Sequence, residues 1–190
     1  MKRTSTLMIV LLMTVAGLIG ADVGDRVGDL SLTDAEGKVH SLSGYSGKVV
    51  VLAFWSFKCP VALAYDERMR DLNGKYSGRD VVFLAVSSNV NETAVEIRRN
   101  AANLKLPYPV LMDAEGELAA RLGATFSPSV FILDRGGVVR YQGAVDNNKR
   151  PGERGRVPHV ENALDSILSG QTIEVQETPP FGCALRRTGR

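Results

Sequence analysis

The stretch "AFWSFKCP", Ala53 to Pro60, brings an apolar run to a single cysteine, and an amphipathic pattern begins immediately after the proline. A cysteine where a buried strand gives way to a helix sits among backbone amides without partners, at the positive end of the helix dipole. Both stabilise a thiolate over a thiol. Such positions bring a cysteine pKa from about 8.5 down to roughly 3.5–7.5, and the thiolate is the nucleophile of sulfur chemistry. Pro60 suits the corner, because a first-turn proline gives up an amide that has no helical partner in any case. The plain alternative is a small buried hydrophobe capping a helix, since free cysteine is among the most buried residue types. Position argues against it: active sites of open α/β sheets gather at the carboxyl ends of strands. Trp55 and Ser56 flank this corner. Further on, Ser127-Pro128 precedes another apolar strand, "SVFIL"; a proline belongs at a strand start, and X-Pro is the bond expected to be cis.

Other chemistries find no support. The histidines, His40 and His159, are not spaced as metal ligands, and there is no CxxC pair, so zinc and haem attachment are not expected. "GYSGK" precedes a strand and has no Ser or Thr after Lys48, which removes a phosphate loop. A formal net charge of +2 is too small to indicate nucleic acid. No nucleotide, flavin or metal site is legible, and no cofactor is expected.

The 190 residues fit one domain with a core large enough to fold without cross-links. Residues 1–21 carry Lys2 and Arg3, an apolar run of roughly a dozen residues, then Gly20 and Ala21, the pattern of a secretory signal. The run is short for a membrane span, which needs about 20 residues. Cleavage near Ala21 is expected, with the mature chain periplasmic or secreted and not stably inserted in a membrane; an uncleaved anchor is the alternative. Outside the cytoplasm a pair of cysteines is usually a disulfide, transient or permanent. Cys59 and Cys183 are the two in this chain, and their pairing would be a tertiary event.

The elements that must position these residues follow from periodicity. "LSLTDAEGKVHSLSGYSGK" reads as an N-terminal hairpin around Asp-Ala-Glu-Gly. Val49 to Trp55 and Val81 to Ser88 read as strands buried on both faces. Val61, Tyr65, Met69, Leu72 and Tyr76, spaced by three and four, predict one helix after Cys59; "NETAVEIRRNAANLK" predicts a second, capped by Asn91. Val130 to Leu133 and Val138 to Tyr141 predict a strand pair joined by a turn, and "HVENALDSILSG" a closing helix. The order is β-α-β, then β-β-α, an α/β fold. The polar loop from Asp146 to Pro158 reads as a solvated surface.

"AFWSFKCP" resembles the active-site stretch of thioredoxin-like proteins, and "TFSPSVFILD" is similar to their cis-proline segment. The likeness runs from about Asp22 to Gly170. It is closest to the exported redoxin group, the peroxiredoxin-like relatives of alkyl hydroperoxide reductase and thiol-specific antioxidant proteins, which include members with a tail like "ETPPFGCAL". The resemblance implies a thioredoxin-like fold, with a central mixed sheet flanked by helices and an N-terminal hairpin. It implies a redoxin domain over 22–170 and a tail, 171–190, carrying Cys183. It also implies a substrate cleft of Trp55, Ser56, Pro60, Ser127 and Pro128.

The departures matter as much. Dithiol members carry a second cysteine where this chain has Ala62, so no local disulfide can form. The peroxidatic pattern would need proline at Leu52, and only Ser56 matches it. The buried acid of thioredoxins falls at Ala53. Two functions follow. In one, Cys59 attacks a disulfide, with peroxides as the second substrate class, and Cys183 or an external thiol reductant resolves the product; partners are then thiol or disulfide proteins, or small disulfides and peroxides. In the other, the chain is a thioredoxin-fold binding module without turnover. Cys183 is left as a resolving thiol, a permanent staple worth about 4–5 kcal/mol in the chain-entropy argument, or an unpaired tail cysteine.

Overall fold

The computed structural model describes residues 20–148 and 155–186; of the expected leader, only Gly20 and Ala21 fall among them. The elements in chain order are β1 (Ser31–Asp34), β2 (Val39–Ser41), β3 (Val49–Phe54), α1 (Pro60–Ala64), α2 (Asp66–Tyr76), β4 (Val81–Ser87) and α3 (Ala94–Asn103). They continue with β5 (Val110–Met112), α4 (Glu117–Leu122), β6 (Phe126–Ser127), β7 (Ser129–Leu133), β8 (Val139–Gly143), α5 (His159–Ser169) and β9 (Cys183–Ala184).

One sheet organises the chain in the order β2-β1-β5-β4-β3-β7-β8. β3, β4 and β5 run parallel to one another, whereas the β3–β7, β7–β8, β1–β5 and β1–β2 pairs are antiparallel, which makes the sheet mixed. The period of two in β3 explains its central place, because both of its faces are apolar. Val49, Val51 and Ala53 enter one core with Met69, Leu72 and Tyr76 of α2, Ile97 of α3 and Leu164 of α5. Val50, Leu52 and Phe54 enter the other with Leu118 and Leu122 of α4. Each fully buried Val, Leu, Ile, Phe or Met among these contributes about 1.5–3 kcal/mol.

Two helix expectations are corrected. The single helix expected after Cys59 is broken at Tyr65, whose φ of −92° and ψ of −2° close α1 and open α2. The break follows from a tertiary pull: the Tyr65 hydroxyl donates to Asp146 at 2.6 Å and contacts the Asn148 carbonyl. α3 is capped by Thr93, not Asn91. The Thr93 hydroxyl accepts from the Glu96 N–H while the Glu96 carboxylate accepts from the Thr93 N–H, a reciprocal capping box. Those hydrogen bonds from Thr93, aided by Lys58, hold the Glu96 carboxyl down at about 2. The loop expected to be solvated begins buried instead, with Asp146 and Asn148 inside the protein; residues 149–154 lie outside the described residues.

Asp34 closes the N-terminal hairpin turn. Its carboxylate accepts the N–H groups of Glu36 at 3.0 Å and Lys38 at 2.8 Å, and meets His40 Nε2 at 2.6 Å. Burial by itself raises its pKa, but the bonds from His40, Lys38 and Glu36 outweigh burial and hold the carboxyl below its usual value. A depressed folded pKa stabilises the fold above the unfolded value, about 3.9, and this contribution is lost as pH falls through the folded value. Asp34→Asn is therefore expected to lower stability at neutral pH and to flatten the acid limb below about pH 4. Urea unfolding across that range checks it, and parallel curves for the two proteins would contradict it.

Candidate active site

Cys59 leaves β3 through the turn Trp55 to Lys58 and becomes the N-cap of α1, with extended backbone (φ −96°, ψ 113°). Pro60 occupies the first helical position. The turn is held by its own polar groups. The Ser56 carbonyl accepts from the Cys59 N–H at 3.2 Å, and the Ser56 hydroxyl accepts from the Lys58 N–H at 3.2 Å. Trp55 is fully buried beneath the corner, and its indole Nε1 has no hydrogen-bond partner among the described residues.

The Ala62 N–H points at the Cys59 sulfur from 3.4 Å, and the Ser127 carbonyl oxygen lies 3.1 Å away on the other side. Thus the residue that lacks the second thiol of dithiol relatives still supplies a backbone donor to the first. Ser127-Pro128 is a cis peptide, and Ser127 lies on β6. Trp55, Ser56, Pro60, Ser127 and Pro128 are thus gathered around Cys59 by the β3–α1 corner and the short β6 strand.

Cys183, more than a hundred residues away in sequence, is joined to Cys59 by a disulfide with a Cα separation of 5.8 Å. It arrives on β9, which pairs antiparallel with β6 so that Cys183 faces Ser127 and Ala184 faces Phe126. The tail is tied down from Thr178 to Arg186. The Thr178 hydroxyl shares a hydrogen bond with the Tyr141 hydroxyl and accepts from the Ala144 N–H, and the Phe181 ring lies 6.1 Å from that of Tyr65. The Leu185 N–H donates to the Thr125 carbonyl, and Arg186 exchanges bonds with Asn89 and Val90.

The sequence matches the AhpC/TSA family over residues 23–142. This chain belongs to that family. Among curated relatives it is similar to the thiol-disulfide oxidoreductase ResA of Geobacillus thermodenitrificans, 31% identical over 118 residues that make up 62% of this chain and 67% of ResA. A solved structure of a hypothetical protein from Sinorhizobium meliloti superposes with a TM-score of 0.80 at 26% identity, covering 90% of this chain and 98% of that one. A candidate thiol:disulfide interchange protein, DsbE, from Chlorobium tepidum gives 0.67 at 25% identity, over 78% and 99%. The redoxin likeness drawn from "AFWSFKCP" and "TFSPSVFILD" therefore holds, as does the thioredoxin-like fold.

For this AhpC/TSA member the structure adds residues that the sequence reading passed over. Glu92 is buried where the β4–α3 loop returns to the site; its carboxylate accepts from the Phe57 N–H at 2.7 Å and from the Ser87 hydroxyl at 3.4 Å. The signal was the T-x-x-E box at Thr93 and Glu96, which moves the helix start past Glu92 and leaves that acid in a loop at a strand's carboxyl end. Asp146 is the second, fully buried, with Arg68 at 2.8 Å and Arg156 at 3.0 Å. Burial, and then the bond to Asp146, push the Tyr65 phenol well above its usual pKa, so it stays a neutral donor. Among the described residues no group of three or more His, Cys, Asp or Glu could hold a metal ion, and no helix is long and apolar enough to cross a membrane.

Gly182 shows how closely the tail is fitted. A Cβ there would stand 2.2 Å from the Ser127 carbonyl oxygen, and its φ of +140° is one that side chains rarely adopt. Gly182→Ala is expected to weaken docking of the tail by about 1–3 kcal/mol. The measurement is reoxidation of the reduced protein under mild oxidant: the Cys59–Cys183 bond should return about tenfold more slowly than in the wild type. Equal rates would show that the tail has room to spare.

Proposed function

We propose that the protein is an exported thiol-disulfide oxidoreductase in which Cys59 attacks the substrate disulfide and Cys183 resolves the adduct. The Cys59 thiolate displaces one substrate sulfur as a thiolate and forms a mixed disulfide. The Cys183 thiolate then attacks the Cys59 sulfur, expels the second substrate thiolate and leaves the Cys59–Cys183 disulfide. Two thiol groups of an external reductant then return both cysteines to the reduced state and leave joined as a disulfide. The observation that carries this reading is the delivery of Cys183 by β9 onto the sulfur of Cys59, at a corner where Ala62 offers that sulfur a backbone N–H. The similarity to the oxidoreductase ResA supports it. Trp55, Ser56, Pro60, Ser127 and Pro128 form the substrate cleft in this reading, and the leader over 1–21 supports placing the mature chain in the periplasm or outside the cell.

A second reading is a binding module in which the disulfide is a permanent staple, and one observation favours it: with the tail docked, Cys59 is only 1% exposed. Parallel turnover assays with a small aromatic disulfide and with hydrogen peroxide, each supplied with a thiol reductant, separate the readings. Turnover of the disulfide supports the oxidoreductase. Turnover of peroxide alone would move Cys59 to peroxidase chemistry. A disulfide that no thiol reductant opens in the folded protein would leave the staple.

A further inference from the structure

The two sulfurs of the Cys59–Cys183 bond are not equally open to attack. Cys59 is 1% exposed, enclosed by α1, by the Ser127 carbonyl and by the tail itself. Cys183 is partly exposed and sits between exposed Gly182 and exposed Ala184. Thiol–disulfide exchange requires a thiolate to approach one sulfur in line with the bond and to expel the other, and it is fastest when the expelled thiolate is the better stabilised one. The Ala62 N–H aims at Cys59 from 3.4 Å at the start of a helix, whereas no comparable donor to Cys183 is found among the described residues. Access and leaving-group stability therefore select the same direction of cleavage.

We propose that the reducing thiol attacks Cys183, not Cys59, and that the tail is the surface on which the reducing partner docks. This rests on the reading of the disulfide as a turned-over bond. In the first step a partner thiolate bonds to the Cys183 sulfur, the Cys59–Cys183 bond breaks, and Cys59 leaves with the electron pair as a thiolate. In the second step another thiolate of the partner attacks its own sulfur in the mixed disulfide. Cys183 is released as a thiolate and the partner carries away the disulfide. The partner is thus a dithiol protein, and it meets exposed Ala184 and Arg186 beside Val90, which is 49% exposed and bonded through its N–H to the Arg186 carbonyl.

An order of events follows. Once the covalent tie is cut, β9 is held, among the described residues, by a two-residue pairing with β6, the bonds of Leu185 and Arg186, and partly buried packing of Cys183 and Leu185. Its departure uncovers Cys59 and frees the β6 edge for substrate. Reductant meets the closed form, and substrate meets the open one.

The test uses the oxidised full-length mature protein. It is mixed briefly with glutathione, or with a thioredoxin variant that retains only its attacking cysteine, then quenched in acid. Free thiols are capped at low pH and the peptides are mapped by mass. The expected result is the adduct on Cys183 and the cap on Cys59, in excess over the reverse pattern by about tenfold or more at the earliest times. An adduct chiefly on Cys59 would overturn this inference and leave the oxidoreductase reading standing. No adduct on either cysteine, with the disulfide intact, would overturn both.

Discussion

Cys59→Ser is expected to abolish reduction of a small aromatic disulfide, lowering the turnover number by on the order of a thousandfold or more, as the loss of a nucleophile does. A serine hydroxyl at this corner would still receive the Ala62 N–H, but it has no thiolate to attack with. Cys183→Ser should behave differently. The first attack survives, so the variant should accumulate a mixed disulfide between Cys59 and the substrate, visible as a mass increase that excess thiol reverses. Steady-state turnover should then depend on the concentration of the external reductant, because no internal thiol remains to resolve the adduct. Substantial activity in Cys59→Ser, or no trapped adduct in Cys183→Ser, would contradict the assignment of nucleophile and resolving thiol.

The largest effect on stability is expected at Asp146. Its side chain is fully excluded from water and binds Arg68, Arg156, the Tyr65 hydroxyl and the Asn148 N–H at distances of 2.6–3.0 Å. Asp146→Ala removes the carboxylate these donors share; Arg156 keeps Glu161 at 3.7 Å, but the Arg68 guanidinium and the Tyr65 phenol are left facing an empty, partly buried space. Breaking a buried pair in this way costs about 3–5 kcal/mol, and partial exposure of the arginines places this case near the lower figure, about 3 kcal/mol. Arg156→Ala, whose side chain is 39% exposed, should cost only about 1 kcal/mol or less. Urea unfolding of the oxidised proteins measures both. A loss of less than about 1 kcal/mol for Asp146→Ala would show that the network adds little. Because Tyr65 marks the break between α1 and α2 and faces Phe181 of the tail, the same variant should also slow closure of the disulfide.

What could be read from the chain depended on whether neighbouring residues decided it. The runs Val49–Phe54 and Val81–Ser87 were legible because a strand buried on both faces must be apolar throughout, and here that local fact coincides with the centre of the sheet. The cysteine corner was legible for a similar reason: strand, Cys, Pro and helix are contiguous. The break at Tyr65 was not, since Val61, Tyr65 and Met69 keep helical spacing, and what bends the chain is a carboxylate 81 residues further on. Asp146 itself, within "DNNKRPGERGRVP", carried every local mark of a surface loop, and its burial depends on Arg68 from α2. Short strands posed a different problem. The two residues of β9 have no periodicity to read, so their register opposite Phe126 and Ser127 exists only in the folded chain.

The outer border of β8 ties the sheet to both ends of the folded unit. The Val139 N–H and carbonyl are taken by Asp25 and Gly24, and those of Gln142 by Gln176 and Thr178. Gly143 completes the fit, because a Cβ there would stand 2.1 Å from the Thr178 carbonyl oxygen. A strand at the rim of a sheet ordinarily offers its unpaired amides to any extended chain that comes by, which is how sheets of separate molecules join. Here those positions are already filled by Gly24–Asp25 and Gln176–Thr178 of the same chain, and at the far rim β2 is only three residues long. Such an arrangement fits the proposed release of the tail from the β6 edge: the strand then made available is the two-residue one beside Cys59, while the β8 border of the long sheet stays covered.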